Sequence, residues 1–174
     1  KEQAKFMAME KEYIAEVAFG MATDTGDREG RLIAKLSYGQ MVKLRRKEIE
    51  NVSSRFIGKV KQSVPLYSAV KIKGKKLYEL ARKGKAPKKL PERIVEIKSI
   101  KALDFKKGSD RIYPVVKLKV VCGKGVYIRQ LAVDLGRALG FPSHLRSLVR
   151  TRVGKFSLDQ SLSIENLTNL EKEI

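Results

Sequence analysis

The sequence has no tryptophan, one cysteine, one histidine and half as many acidic residues as basic ones. Each scarcity excludes something. Cys122 alone permits no internal disulfide, which fits a reducing cytosol, and with no histidine beside it in sequence it reads as a small buried hydrophobe. His144 has no Cys or His companions at ligand spacing, so no metal site is expected. No apolar run approaches the roughly 20 residues of a membrane-spanning helix, and no signal-peptide pattern stands at the start. The expected location is therefore cytoplasmic, with no membrane partner.

What the chain does have is positive charge. Thirty-eight Lys and Arg against nineteen Asp and Glu give 174 residues a net +19. A domain so basic is expected to meet a polyanion, with nucleic acid as the default. A heat-adapted surface would instead balance its lysines with glutamate. Mutual repulsion of such surfaces favours a monomer. The charge is also concentrated: Lys71 to Arg93 holds ten Lys or Arg and two Glu. The plain reading is a solvated basic loop. The sharper one is a clamp on nucleic acid, anchored by Tyr67 and Tyr78, with Lys71, Lys75, Lys76 and Arg82 on the phosphates and Lys124 as a further contact.

The organising stretch runs from Pro114 to Gly140. Val116, Leu118, Val120 and Cys122 alternate with Lys117 and Lys119, as in a half-buried strand. Gly123-Lys124-Gly125 breaks the pattern. From Ile128 the period becomes helical through Leu131, Ala132, Leu135 and Leu139, and Gly140 with Pro142 should stop that helix. Tyr127 and Arg129 then fall in the first turn, where free N–H groups and the helix dipole suit an anion and a guanidinium can grip a carboxylate or phosphate. An ordinary surface arginine beside a rim tyrosine is the competing reading.

Elsewhere, Lys11–Phe19 alternates as a strand, and Gly20–Gly30 is a loop whose Asp24 and Asp27 suit bonds to their own backbone. Arg31–Leu36 is expected as a return strand paired with the first. Leu44–Ile57 reads as a helix capped by Gly58, 75–83 as a short helix, and Arg93–Phe105 as a strand. In 142–152, Leu145 and Leu148 should pack inward with Arg146, Arg150 and Arg152 outward. Val153–Leu158 is a last strand and Ser163 opens a final helix. One domain, or one with an insertion, is expected. The elements mix without regular βαβ alternation, which predicts an α+β fold with a mixed, mostly antiparallel sheet flanked by helices.

Four stretches, KEYIAEVAFGMATDTGDREG (11–30), VPLYSAVKIKGKKLYELARKGK (64–85), CGKGVYIRQLAVDLGRALG (122–140) and SHLRSLVRTRVGKFSLDQSLSIENL (143–167), together resemble the TruB type of tRNA pseudouridine-55 synthase. They follow that family's order and near-family spacing. The resemblance implies a pseudouridine synthase catalytic domain over 1–174, with 62–93 as a basic insertion clamping RNA. It implies a tRNA T-arm stem-loop as partner and no cofactor. The implied reaction cleaves C1′–N1 of the T-loop uridine, turns the uracil and joins C1′ to C5. By residue, it implies that Tyr13 stacks on the target base and Leu148 lies under the uracil. Asp27 stands near the active site, Tyr127 is the active-site tyrosine, and Arg129 pairs with the catalytic aspartate.

One departure is plain. The family's nucleophile sits in a G-T-L-D-P-type motif ahead of the strand bearing Tyr13, and residues 1–10 do not match it. The sequence as it stands is expected to be N-terminally incomplete and inactive alone. Two rivals remain. A non-catalytic basic RNA-binding module would have no reason to bring Tyr13 to Tyr127 and Arg129. A nuclease would need clustered carboxylates for metal, and Asp24 with Asp27 is the one pair on offer.

Overall fold

A computed structural model describes residues 2–41, 43–87, 89–109 and 112–164. In chain order the elements are α1 (Glu2–Ala8), β1 (Lys11–Phe19), β2 (Met21–Thr23), β3 (Leu32–Lys35), α2 (Tyr38–Met41), α3 (Arg46–Ser54), β4 (Gly58–Ser63), β5 (Lys71–Ile72), β6 (Lys75–Lys76), α4 (Leu77–Arg82), β7 (Glu92–Lys106), β8 (Val115–Cys122), α5 (Ile128–Leu139), β9 (Ser143–Val153) and β10 (Phe156–Ser157). Six strands form one sheet in the order β10-β9-β1-β8-β7-β4, and every paired neighbour is antiparallel. The fold is α+β, as the mixed periodicities predict.

The sheet is built on β1 and β8 because their alternation is strict. Ala15, Val17, Val116, Leu118 and Val120 point to one side and share a cluster with Ile49 and Val52 of α3 and Ile128, Leu131, Ala132 and Leu135 of α5. Each large aliphatic side chain so buried is worth about 1.5–3 kcal/mol. Acids at and just before the start of β1 meet bases from neighbouring strands: Glu12 with Lys119 at 2.9 Å, and Glu10 with Lys98 and Arg152, both at 2.7 Å. Gly140, at φ +77°, ends α5 as expected, with the Phe141 N–H donating to the Gly136 carbonyl at 2.8 Å.

Several boundaries differ from the sequence reading: the last strand shrinks from 153–158 to Phe156–Ser157, and the short helix over 75–83 to Leu77–Arg82. The return strand 32–35 pairs with β2, not β1, because Gly20 at φ +98° turns the chain out of the sheet first. The helix over 44–57 is shorter. The Glu48 carboxylate accepts from the Arg45 N–H at its start, and at its end 55–57 tighten into i→i−3 bonds. Gly58, at φ +99°, then opens β4 instead of capping a helix. The short helix in the basic stretch buries Leu77 completely, so that stretch is tied to the body more firmly than its polarity predicts.

The expected final helix lies almost wholly outside the described residues. Among them, no helix is long and apolar enough to cross a membrane, which says nothing about strands.

Candidate active site

Two irregularities in β9 shape one wall of a pocket. Opposite β1, the register slips once between Glu16 and Val17 and once between Glu12 and Tyr13. Arg146 and Thr151 are the extra residues. A bulge restores the face after an odd spacing. Leu145 and Leu148, three apart, thus both stand on the side that carries α5, opposite Val17 and Ala15. Leu145 is buried, whereas Leu148 is 43% exposed because nothing covers it. The same slip sets Arg150 opposite Tyr13 instead of on the far side.

The second wall is the start of α5. Gly125, at φ +80°, completes the glycine turn, and Tyr127 is the N-cap, one residue earlier than its expected place in the first turn. Arg129 follows in that turn. Its Nη1 donates to Asp27 Oδ2 at 2.6 Å and its Nη2 to the Tyr67 carbonyl at 3.1 Å. The loop bearing Asp27 is docked by two backbone bonds on β9, Leu145 N–H to the Gly26 carbonyl at 2.9 Å and Arg28 N–H to the Leu145 carbonyl at 3.0 Å. Gly26 lets this loop approach: a Cβ there would stand 3.1 Å from both Arg129 Cγ and Val133 Cγ2.

Asp27 is a fully engaged carboxylate. Its Oδ1 also accepts from the Thr25 hydroxyl at 2.7 Å and the Glu29 N–H at 3.2 Å. Partial burial alone would raise its pKa, but the Thr25 bond and the Arg129 charge outweigh that and hold it below the usual aspartate value. Burial pushes the Tyr13 phenol up, and nearby Arg150 only partly offsets this. The Cys122 thiol is pushed to about 11 by burial, which keeps it protonated at neutral pH. Asp24 is spent on the loop, accepting from the Arg31 N–H at 2.9 Å.

The result is an open pocket of about 320 Å³ lined by Tyr13, Asp27, Val126, Tyr127, Ile128, Arg129, Leu145 and Leu148. Five of the residues singled out in the sequence thus meet in one place. The non-catalytic rival expected Tyr13 apart from Tyr127 and Arg129, and they share this pocket. The other candidates stand outside its lining. Tyr67 reaches Arg129 through its carbonyl. Lys124 lines a separate groove with Met7, Lys11 and Ile94. Lys76 and Arg82 both stand 5.5 Å from the Tyr78 ring, and Lys71 and Lys75 lie on the β5–β6 hairpin.

Sequence reasoning missed Gln62. Its side chain bonds the Tyr127 backbone in both directions, Nε2 to the carbonyl at 3.1 Å and Oε1 from the N–H at 2.9 Å. The signal was present: in GKVKQS, Lys59 and Lys61 alternate with Val60 and Gln62, which sets an amide at an inward position. Among the described residues, no group of three or more His, Cys, Asp or Glu is placed to hold a metal ion.

The chain matches two family models: the TruB family pseudouridylate synthase N-terminal domain over residues 1–128, and the tRNA pseudouridylate synthase B C-terminal domain over 129–173. They meet inside α5, a single continuous helix. Similar proteins named tRNA pseudouridine synthase B come from Francisella philomiragia (42% identity, 94% of this chain, 51% of the relative), Symbiobacterium thermophilum (44%, 91% and 50%) and Bacillus cytotoxicus (41%, 94% and 53%). The chain spans about half the length of these curated relatives.

Among solved structures, a Cbf5-Nop10-Gar1 complex matches with TM-score 0.65 and 23% identity, over 99% of this chain and 41% of that one. An H/ACA RNP bound to a substrate RNA containing 2′-deoxyuridine matches with TM-score 0.61 and 19% identity, over 98% and 38%. At these identities the likeness is one of fold.

Proposed function

This chain belongs to the TruB family of pseudouridylate synthases, and from that premise we propose that it serves the isomerisation of the T-loop uridine of tRNA to pseudouridine. The observation that supports this most directly is the Arg129 guanidinium, held between Asp27 and the Tyr67 carbonyl in a pocket with two tyrosines and an exposed leucine. The reaction breaks C1′–N1 and forms C1′–C5. The base loses the proton on C5 and gains one on N1, so atoms and electrons balance without a redox partner. A carboxylate near the sugar attacks C1′ or takes a proton from elsewhere on the sugar.

In this reading a flipped uracil enters the pocket, since a base within a stack or pair cannot be reached. Tyr13 offers a stacking face, Leu148 an apolar floor, and Tyr127 closes the side next to the helix start. Arg129 orients a carboxylate and keeps it ionised, because a neighbouring positive charge disfavours protonation. Residues 62–93 hold the T-arm through Lys71, Lys75, Lys76, Arg82 and Tyr67, with Lys124 touching the backbone nearby; these contacts are electrostatic and largely independent of sequence. The protein would act as a monomer in the cytoplasm.

A finer proposal concerns the nucleophile. Among the described residues Asp27 is the one carboxylate lining the pocket, and it is committed to Thr25, Glu29 and Arg129. The 174 residues by themselves are therefore proposed to bind a T-arm without turning it over.

The test uses a T-arm stem-loop whose target uridine carries tritium at C5, because forming C1′–C5 releases that label to water. The natural full-length protein should release it, while the 174-residue chain should bind the RNA and release none. No release by the full-length protein would overturn the function, and release by the short chain would overturn the finer proposal.

A further inference from the structure

The first turn of α5 carries Tyr127 and Arg129, yet little in its own sequence fixes it. Tyr127 is an N-cap with no side-chain cap bond, and the preceding Gly123-Lys124-Gly125 turn is conformationally loose. The orphan groups at a helix start must find partners. For the N-cap N–H that partner is a side chain from another element. Gln62, on edge strand β4, is 4% exposed, and both ends of its amide are spent on the backbone N–H and carbonyl of Tyr127. The Tyr127 carbonyl also accepts the first bond of the helix, from the Leu131 N–H at 3.0 Å. Gln62 thus holds the Tyr127 backbone as a neighbouring strand would, and a buried amide is tolerated only because both its donor and its acceptor are satisfied.

The same short run reaches the other key residue. Five positions beyond Gln62, the Tyr67 carbonyl accepts from Arg129 Nη2. Between the two, the Val64 N–H donates to the Pro91 carbonyl at 2.8 Å, closing the base of the segment that leaves β4 and returns to β7. The 62–67 run is therefore braced at its base and grips the Tyr127 backbone and the Arg129 head from one side, while Asp27 grips Arg129 from the other.

We propose that Gln62 is a positioning residue: its side-chain amide fixes the backbone on both sides of the Tyr127 Cα and, through it, the orientation of the Tyr127 ring and the Arg129 guanidinium in the pocket. Turnover enters this claim only through the proposed function, on which that part rests. Gln62 touches no reacting atom. Its contribution is geometric, and a displacement of about 1 Å at such a site is enough to cost on the order of 100-fold in rate.

The test compares wild type with Gln62→Met, which keeps the length and loses both bonds, and Gln62→Glu, which can accept from the Tyr127 N–H but cannot donate to its carbonyl. Three quantities are read on the natural full-length protein: hydrogen exchange at the Tyr127 amide, Kd for a T-arm stem-loop, and single-turnover tritium release. In Gln62→Met, Tyr127 exchange should quicken at least about tenfold while core amides keep their protection. Release should slow by about 100-fold with Kd nearly unchanged. Gln62→Glu should recover Tyr127 protection and part of the rate.

Unchanged exchange and rate in Gln62→Met overturn the proposal. So does a loss of rate that only tracks loss of melting temperature and RNA affinity, the mark of a general structural role. If Gln62→Met does not fold, Gln62→Glu decides: the proposal requires it to lose rate while keeping Kd, and a wild-type rate overturns it. Absence of release in wild type would instead overturn the function, and the brace would then stand or fall on Tyr127 exchange alone.

Discussion

Arg129 and Arg82 are both arginines near a tyrosine, and the molecule holds them in opposite ways. Arg129 is three-quarters buried on α5, with partners from two other elements, the 20–30 loop and the root of the basic segment. Arg82 rests 5.5 Å from the Tyr78 ring, a contact worth about 0.5–1 kcal/mol at an exposed site. Around Arg82 the sequence from Lys71 to Arg93 holds ten bases against two acids, an excess that the stretch cannot neutralise by itself. Around the sheet Glu10, Glu12 and Glu16 are each matched to bases on neighbouring strands. The difference separates a pocket whose charges are paired within the protein from a stretch whose bases far outnumber its acids, and the proposed function gives the second a polyanion to meet.

The largest expected effect breaks the pocket side. Arg129→Lys retains the charge but cannot bridge Asp27 and the Tyr67 carbonyl with a planar fork. Turnover in the natural full-length protein should fall about 10²–10³-fold, the usual cost of losing one preorganised electrostatic group. Affinity for the T-arm, measured by filter binding, should barely change.

Next comes the surface side. Replacing Lys71, Lys75 and Lys76 together by Gln should weaken T-arm binding at least about tenfold and reduce the salt slope by about 0.7–0.9 for each phosphate no longer neutralised. The maximal rate at saturating RNA should stay near wild type. Titrations from low to moderate salt check both.

A smaller effect sharpens the pocket's electrostatics. Asp27 has a folded-state pKa below the ordinary aspartate value of about 3.9. A depressed carboxylate stabilises the fold fully above its unfolded pKa, and that contribution is lost as pH falls through the lower folded value. Melting curves from neutral pH down to the acid range should therefore show Asp27→Asn less stable than wild type above that window, with the gap closing below it. The ion pair is part-exposed, so solvent screening keeps the gap modest.

Smallest is the effect at Cys122, buried in β8 with its thiol near 11. A thiol reagent at neutral pH should label it slowly in the folded protein and quickly in denaturant, with no loss of RNA binding beforehand.

The charge of the basic segment could be counted directly, and the β1, β8 and α5 elements followed from alternation and helical period. These residues keep their pattern because each faces one core. The pocket was legible by resemblance and only partly by physics. Arg129 at a helix start was readable, but its pairing with Asp27 spans 102 positions. β4 was legible only as a short alternation: GKVKQS is polar, and it becomes a strand because β7 offers a partner edge, with Lys61 opposite Ile94 and Gln62 opposite Arg93. Gln62's role went with it, since nothing local tells an amide which peptide it will meet. The β9 bulges were equally silent, and without them an alternating reading cannot set Leu145 and Leu148 on one face.

The most direct test of the separation is tritium release from a C5-labelled T-arm, followed across RNA concentration for the natural full-length protein, Arg129→Lys and the triple lysine variant. The predicted result is turnover by wild type, the same plateau reached at higher RNA by the lysine variant, and normal binding with an almost flat rate for Arg129→Lys. Absence of release by wild type, or an Arg129→Lys plateau equal to it, would contradict the account.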